Sequence, residues 1–158
     1  MLMKILSKSP SQTEEIGAKL ALQRTQGKFQ QKQAIIIALE GELGAGKTVF
    51  VKGFAAALGV KKGIRSPTFN LMKRYPIKAI GHRPLAISYL YHLDCYRLNS
   101  GKELEALGFK EIVSDPRNII LIEWAERVKD ALPRKYVKVH IDHVDETTRK
   151  LQIFNFQF

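Results

Sequence analysis

Ala34-Ile35-Ile36-Ile37-Ala38-Leu39, followed one residue later by Gly41-Glu42-Leu43-Gly44-Ala45-Gly46-Lys47-Thr48, is the stretch that decides the fold. The apolar run suits a strand buried on both faces, and the segment after it is a complete G-x-x-x-x-G-K-[ST] loop. Glycines at 41, 44 and 46 let the backbone curl until several N–H groups point inward at one anion, where side chains would obstruct. A nucleoside triphosphate tail fits that description. Gly41, Glu42, Leu43, Gly44, Ala45 and Gly46, with Lys47, Thr48 and Val49, would then line the phosphates, Lys47 reaching the β- and γ-phosphates and the Thr48 hydroxyl ligating Mg²⁺. Thr48 to Leu58 continues as a helix whose positive N-terminus faces the charge, and Gly59 ends it.

Outward from this unit, Met1 to Leu6 reads as a short strand, and Ser11-Gln12-Thr13-Glu14 as a capping box opening a helix that runs to about Arg24 with Ile16, Leu20 and Leu22 towards the core. Gly27 to Gln33 is a polar turn. Strands are expected at 69–75, 85–93 and 118–122, with a loop or hairpin tip from Pro76 to Pro84. Gly101 to Phe109 suits a short helix with a Gly stop, Ala125 to Leu132 another ended by Pro133, and Tyr136 to Val144 with Arg149 to Phe158 alternates like two paired strands. The expected architecture is an α/β phosphate-loop nucleotide-binding domain. Its central, mostly parallel sheet is flanked by helices and carries a C-terminal antiparallel strand pair.

The chain has 158 residues, 45% hydrophobic and 26% charged, which suits one globular domain over residues 1–158. No apolar run approaches the roughly 18 residues of a membrane span, the N-terminus is too short and mixed for a secretion signal, and one cysteine builds no disulfide framework. A cytoplasmic protein is expected, with neither a membrane nor DNA as partner. A net charge of +11 suggests an acidic partner such as RNA, although the basic residues are scattered and suit a merely soluble surface equally well.

Mg²⁺ held against phosphates also needs protein carboxylates. Asp94 closes the run Ala86 to Leu93 and Glu123 closes Ile119 to Ile122, and either could project into the crevice beyond the sheet. The shorter Asp94 is assigned to the metal, and Glu123 to activation of an attacking water, with Glu123 kept beside Thr48 and Asp94 in the candidate metal set. Ser66-Pro67-Thr68-Phe69 offers a hydroxyl, Thr68, that could sense the γ-phosphate or the metal as switch segments do. His92 reads as a packed or hydrogen-bonded strand histidine, Cys95 as a buried filler, and Trp124 as core or as a wall of the nucleotide pocket.

Taken in order, Gly41 to Thr48, Ser66 to Phe69, His92-Leu93-Asp94-Cys95-Tyr96-Arg97-Leu98, Glu103 to Gly108 and Leu121-Ile122-Glu123-Trp124-Ala125-Glu126-Arg127 resemble the TsaE (YjeE) family over roughly residues 10 to 135. The resemblance implies an ATPase with a Mg²⁺ site that acts with TsaD and TsaB in threonylcarbamoyl modification of adenosine in tRNA, placing tRNA nearby. It implies that Lys47 and Thr48 hold phosphate and metal, that Asp94 belongs to the metal shell, that Glu123 is the acidic strand-end position, and that Thr68 lies in the switch-like segment. Cys95 departs from the apolar residue common there, and Pro76 to Pro84 looks longer and more basic than usual. Two rivals share the residues: a small-molecule kinase, and a basic RNA-binding module with a vestigial nucleotide site. A GTPase is not supported, because no N-K-x-D is present.

Overall fold

The computed structural model of the protein describes residues 1–26, 31–65, 70–78 and 86–155. Among these, β1 (Leu2–Ser7), β2 (Ile35–Glu40), β3 (Met72–Pro76), β4 (Tyr89–Asp94), β5 (Asn118–Glu123), β6 (Val137–His143) and β7 (Arg149–Phe154) form one sheet in the order β1-β7-β6-β2-β5-β4-β3. Helices α1 (Pro10–Thr25), α2 (Lys47–Ala57), α3 (Lys102–Glu105) and α4 (Phe109–Ser114), and a 3-10 helix at Ala125–Ala131, complete the described elements.

Two-residue alternation explains why β2 is apolar throughout. Ile35, Ile37 and Leu39 pack on one face with Leu20 of α1 and Phe50 and Phe54 of α2. Ile36 and Ala38 pack on the other, with Leu104, Phe109 and Val128 from the short helices. The central strands are parallel as expected, and the antiparallel pairs at the two margins make the sheet as a whole mixed. β6, β2, β5 and β4 are parallel neighbours, while β3 pairs antiparallel with β4, β7 with β6, and β1 with β7. The expected C-terminal antiparallel pair is thus β6 and β7; its continuation over 156–158 lies outside the described residues.

Several local expectations shift. The cap of α1 is Ser9, two residues before the box expected at Ser11, because Pro10 lacks an N–H and has a fixed φ suited to a first helical position. Gln12 N–H donates to Ser9 Oγ at 3.2 Å and Lys8 N–H donates to Gln12 Oε1 at 2.7 Å. Leu20 is buried as expected, but Leu22 is 39% exposed and outside the core. The short helix expected over 101–109 stops at its glycine as expected, Gly108 at φ 80°, but the chain then resumes helically as α4, which was not expected from the sequence. The helix expected at 125–132 is a 3-10 helix kinked at Val128. β3 begins at Met72 rather than Phe69 and β4 at Tyr89 rather than Leu85; residues 66–69 and 79–85, with Thr68 and most of the loop 76–84, lie outside the described residues, as do 27–30 of the polar turn.

Helix α2 is braced by α1 through close backbone contact. A Cβ on Gly17 would strike the carbonyl oxygen of Phe50, and one on Gly53 would strike the backbone of Glu14. Gly53→Ala is therefore expected to cost about 1–3 kcal/mol of stability, as overpacking does. Denaturant unfolding checks it through a lower midpoint with an unchanged slope.

No described helix is long and apolar enough to cross a membrane.

Candidate active site

Parallel strands end together, so the C-terminal edges of β2, β5 and β4 bring their last residues to one rim. In register, Leu39 stands beside Glu123 and Glu123 beside Asp94. Immediately after β2 the chain turns through Gly41 (φ 144°), Gly44 (φ 77°) and Gly46 (φ 103°), values that an L side chain rarely adopts. A Cβ on Gly41 would also strike the Ile141 carbonyl of β6. Gly46, left-handed, stands at the N-cap of α2.

Lys47 opens that helix and is only 5% exposed. Its Nζ donates to the carbonyl oxygens of Gly41 and, at 2.8 Å, Glu42, and lies 4.0 Å from the centroid of the Trp124 ring. Burial pushes its pKa below the usual lysine value, opposed by the negative charges of Glu123, Glu126 and Asp94. Thr48 Oγ1 lies 3.0 Å from each carboxylate oxygen of Glu123, and that residue is 2% exposed. His92 Nε2, on the fully buried ring of β4, lies 2.8 Å from Glu123 Oε1. Among the described residues its Nδ1 is buried without a hydrogen-bond partner, so Nε2 is the nitrogen that donates, to Glu123. Asp94 is half-buried, and its Oδ1 accepts from the Tyr96 N–H at 3.0 Å.

Beyond the strand ends sits an aromatic shelf. Trp124 holds left-handed backbone (φ 58°), which turns the chain sharply out of β5. Its ring centroid is 4.9 Å from that of Tyr96, and the Arg127 guanidinium lies 5.4 Å from the Tyr96 ring and 5.6 Å from Trp124. Trp124, half-buried, thus faces Lys47 as well as the core.

The structure therefore brings together Lys47, Thr48, Asp94 and Glu123, with Val49 half-buried in the first turn of α2 and Leu43 81% exposed at the loop's tip. Thr68 lies outside the described residues. Among the described residues no group of three His, Cys, Asp or Glu side chains could hold a metal by itself. One hydroxyl and two carboxylates are nonetheless hard oxygen donors of the kind Mg²⁺ takes, the remainder of its shell commonly being water and substrate phosphate. Two contacts escape a reading of the sequence. One is the pairing of His92 with Glu123, whose only local trace is a polar residue inside an apolar strand. The other is Arg149 of β7, whose Nε donates to the Ala45 carbonyl at 3.1 Å and whose Nη2 donates to the Gly44 carbonyl at 3.3 Å.

Cys95 is wholly buried, its backbone N–H bonded to the Glu123 carbonyl at 3.0 Å. Burial, then the charges of Asp94, Glu123 and Glu126, pushes its thiol up to about 12. Cys95 is therefore expected to resist iodoacetamide at about pH 8 in the folded protein and to react once denaturant exposes it, as mass spectrometry would read.

A family model described as "Threonylcarbamoyl adenosine biosynthesis protein TsaE" matches residues 7–151. A Haemophilus influenzae relative named "tRNA threonylcarbamoyladenosine biosynthesis protein TsaE" is 35% identical over 119 residues, 75% of this chain and 70% of the relative. A Bacillus subtilis relative of the same name is 35% identical over 120 residues, 76% of this chain and 69% of the relative. A solved structure titled "Crystal structure of Bacillus subtilus YdiB" superposes with a TM-score of 0.72 at 27% identity, covering 97% of this chain and 84% of that one.

Proposed function

The chain belongs to the TsaE family, and from that premise we propose that it is a Mg²⁺-dependent, cytoplasmic phosphate-loop ATPase that assists TsaD and TsaB in threonylcarbamoyl modification of adenosine in tRNA. The observation that carries the ATPase reading is the Thr48 hydroxyl held 3.0 Å from both oxygens of Glu123, at the foot of a complete G-x-x-x-x-G-K-T loop. The Thr48 hydroxyl and the Asp94 and Glu123 carboxylates would hold Mg²⁺, which supplies charge neutralisation to the terminal phosphates. Lys47 exchanges two loop carbonyls for β- and γ-phosphate oxygens, a gain because its ammonium is then paired with full negative charge. The nearby carboxylates favour the charged lysine and partly offset its burial, which still lowers its pKa. Gly41 to Val49 line the phosphates, and Thr68 senses the γ-phosphate.

Glu123 is our assignment for the group that polarises the attacking water. Its carboxylate is held in place by the Thr48 hydroxyl and the His92 ring. Its work is then to orient and polarise the water rather than to remove the proton outright, which suits a loose phosphoryl-transfer transition state.

Phosphate release, measured with and without TsaD and TsaB, tests the proposal. The isolated chain is expected to hydrolyse ATP slowly and to be stimulated by its partners. Because exposed charges are screened over about 8 Å at physiological ionic strength, a chain of net charge +11 should lose that stimulation as salt rises. Turnover unaffected by saturating partners at low salt, with no complex in the ultracentrifuge, would favour a stand-alone kinase.

A further inference from the structure

We infer that Arg149 is a positioning residue for the phosphate loop, a strut from the β6–β7 hairpin that fixes which way the loop's peptide groups face. All its nitrogens are engaged. Nε and Nη2 donate to the carbonyls of Ala45 and Gly44, while Nη1 donates to the carbonyls of Asp145 at 2.7 Å and Thr148 at 2.9 Å in its own hairpin turn. One planar cation therefore spans two turns that lie 104 residues apart in the chain.

The consequence follows from peptide planarity. In a trans peptide the C=O and N–H point in opposite directions. A carbonyl of Ala45 held outward on Arg149 obliges the N–H of Gly46 to face the other way, into the loop. The Ala45 N–H is used internally, donating to the Glu42 carbonyl at 3.1 Å, so the loop's tight turn and its outward grip are separate constraints. Glycine-rich backbone has no side chains to settle this orientation, and each glycine loses much freedom when ordered. The strut supplies the missing constraint before any phosphate arrives. It needs a fork: a lysine in place of Arg149 would keep the charge but present a single ammonium, unable to reach both turns with comparable geometry.

The inference rests on the ATPase reading only where affinity is measured, so its test has an arm free of nucleotide. Hydrogen exchange is followed in peptides covering 41–48 for the wild type, Arg149→Ala, Arg149→Lys and Lys150→Ala. Lys150 carries the same charge at the next β7 position, where alternation turns it to the opposite face. Arg149→Ala and Arg149→Lys are expected to speed exchange in that segment while β2 and β5 stay protected; Lys150→Ala is expected to match the wild type. In the second arm, calorimetry should show Mg–ATP affinity lowered about tenfold in both Arg149 variants, the size expected for a lost charge-assisted hydrogen bond. Unchanged exchange at 41–48 in Arg149→Ala, or wild-type exchange in Arg149→Lys, would overturn the strut. Faster exchange spread equally over β2 and β5 would also overturn it, by showing a general loss of stability. A wild type that binds no ATP would overturn the ATPase reading, and the exchange arm would still decide the strut.

Discussion

Lys47→Ala is expected to weaken Mg–ATP binding by roughly tenfold to over a hundredfold, the equivalent of about 1.5–3 kcal/mol for one charged contact. Lys47 is a buried cation beside three carboxylates, Glu123, Glu126 and Asp94. Removing it takes away the partner of the incoming phosphates and leaves those acids uncompensated against a polyanion. Alanine also abandons two carbonyl contacts and the face of Trp124, so thermal unfolding of the free variant should be recorded alongside. Titration calorimetry reads the result. Equal affinity in wild type and variant would remove the loop from nucleotide binding.

Glu123→Gln is the second large effect: ATP binding near the wild-type level, with hydrolysis slowed by about 10² or more, as expected for loss of a group acting in the transition state. The replacement is nearly isosteric in a site 2% exposed, but the amide is neutral and must turn its NH₂ either to Thr48 or to His92. With the amide oxygen at the Oε1 position it can still accept from both His92 and Thr48, whereas the opposite flip takes the acceptor from His92. Asp94→Asn should act differently. Its carboxylate is half-buried at the rim and accepts the Tyr96 N–H, so losing its charge should shift the Mg²⁺ requirement of binding more than the chemical step. Single-turnover kinetics over a Mg²⁺ series separate the two. Wild-type hydrolysis by Glu123→Gln would take the water-polarising role away from it.

The parts legible from sequence were those whose cause is local. The run Ala34 to Leu39 is a buried strand because both its faces meet helices, and the loop after it departs from standard backbone at the positions where glycine stands. Asp94 and Glu123 could be placed at one rim because parallel strands align their ends. Illegible were contacts made by folding itself. His92 and Glu123 are 31 positions apart and Arg149 and Ala45 are 104 apart, and no periodicity or motif links either pair. The close approach at Gly17 and Gly53 is a similar case, since a glycine in sequence does not say whether it bends the chain or makes room. At the start of α1, Ser11 offers the same capping chemistry as Ser9, but it stands on the wrong side of Pro10.

The pairing of β1 with β7 has a consequence for the order of synthesis. Ser7 stands opposite Arg149 and Leu2 opposite Phe154, so β1 waits for a strand translated long after it. At about 5–20 residues per second that wait is of the order of ten seconds, during which the edge of β1 is exposed and a long chain closure must still be made. Arg149 arrives in the same strand that relieves the wait. A nascent chain can thus carry every residue of the glycine-rich loop and still lack the strut that orders it, so translation would complete the sheet's margin and the loop's geometry in a single event.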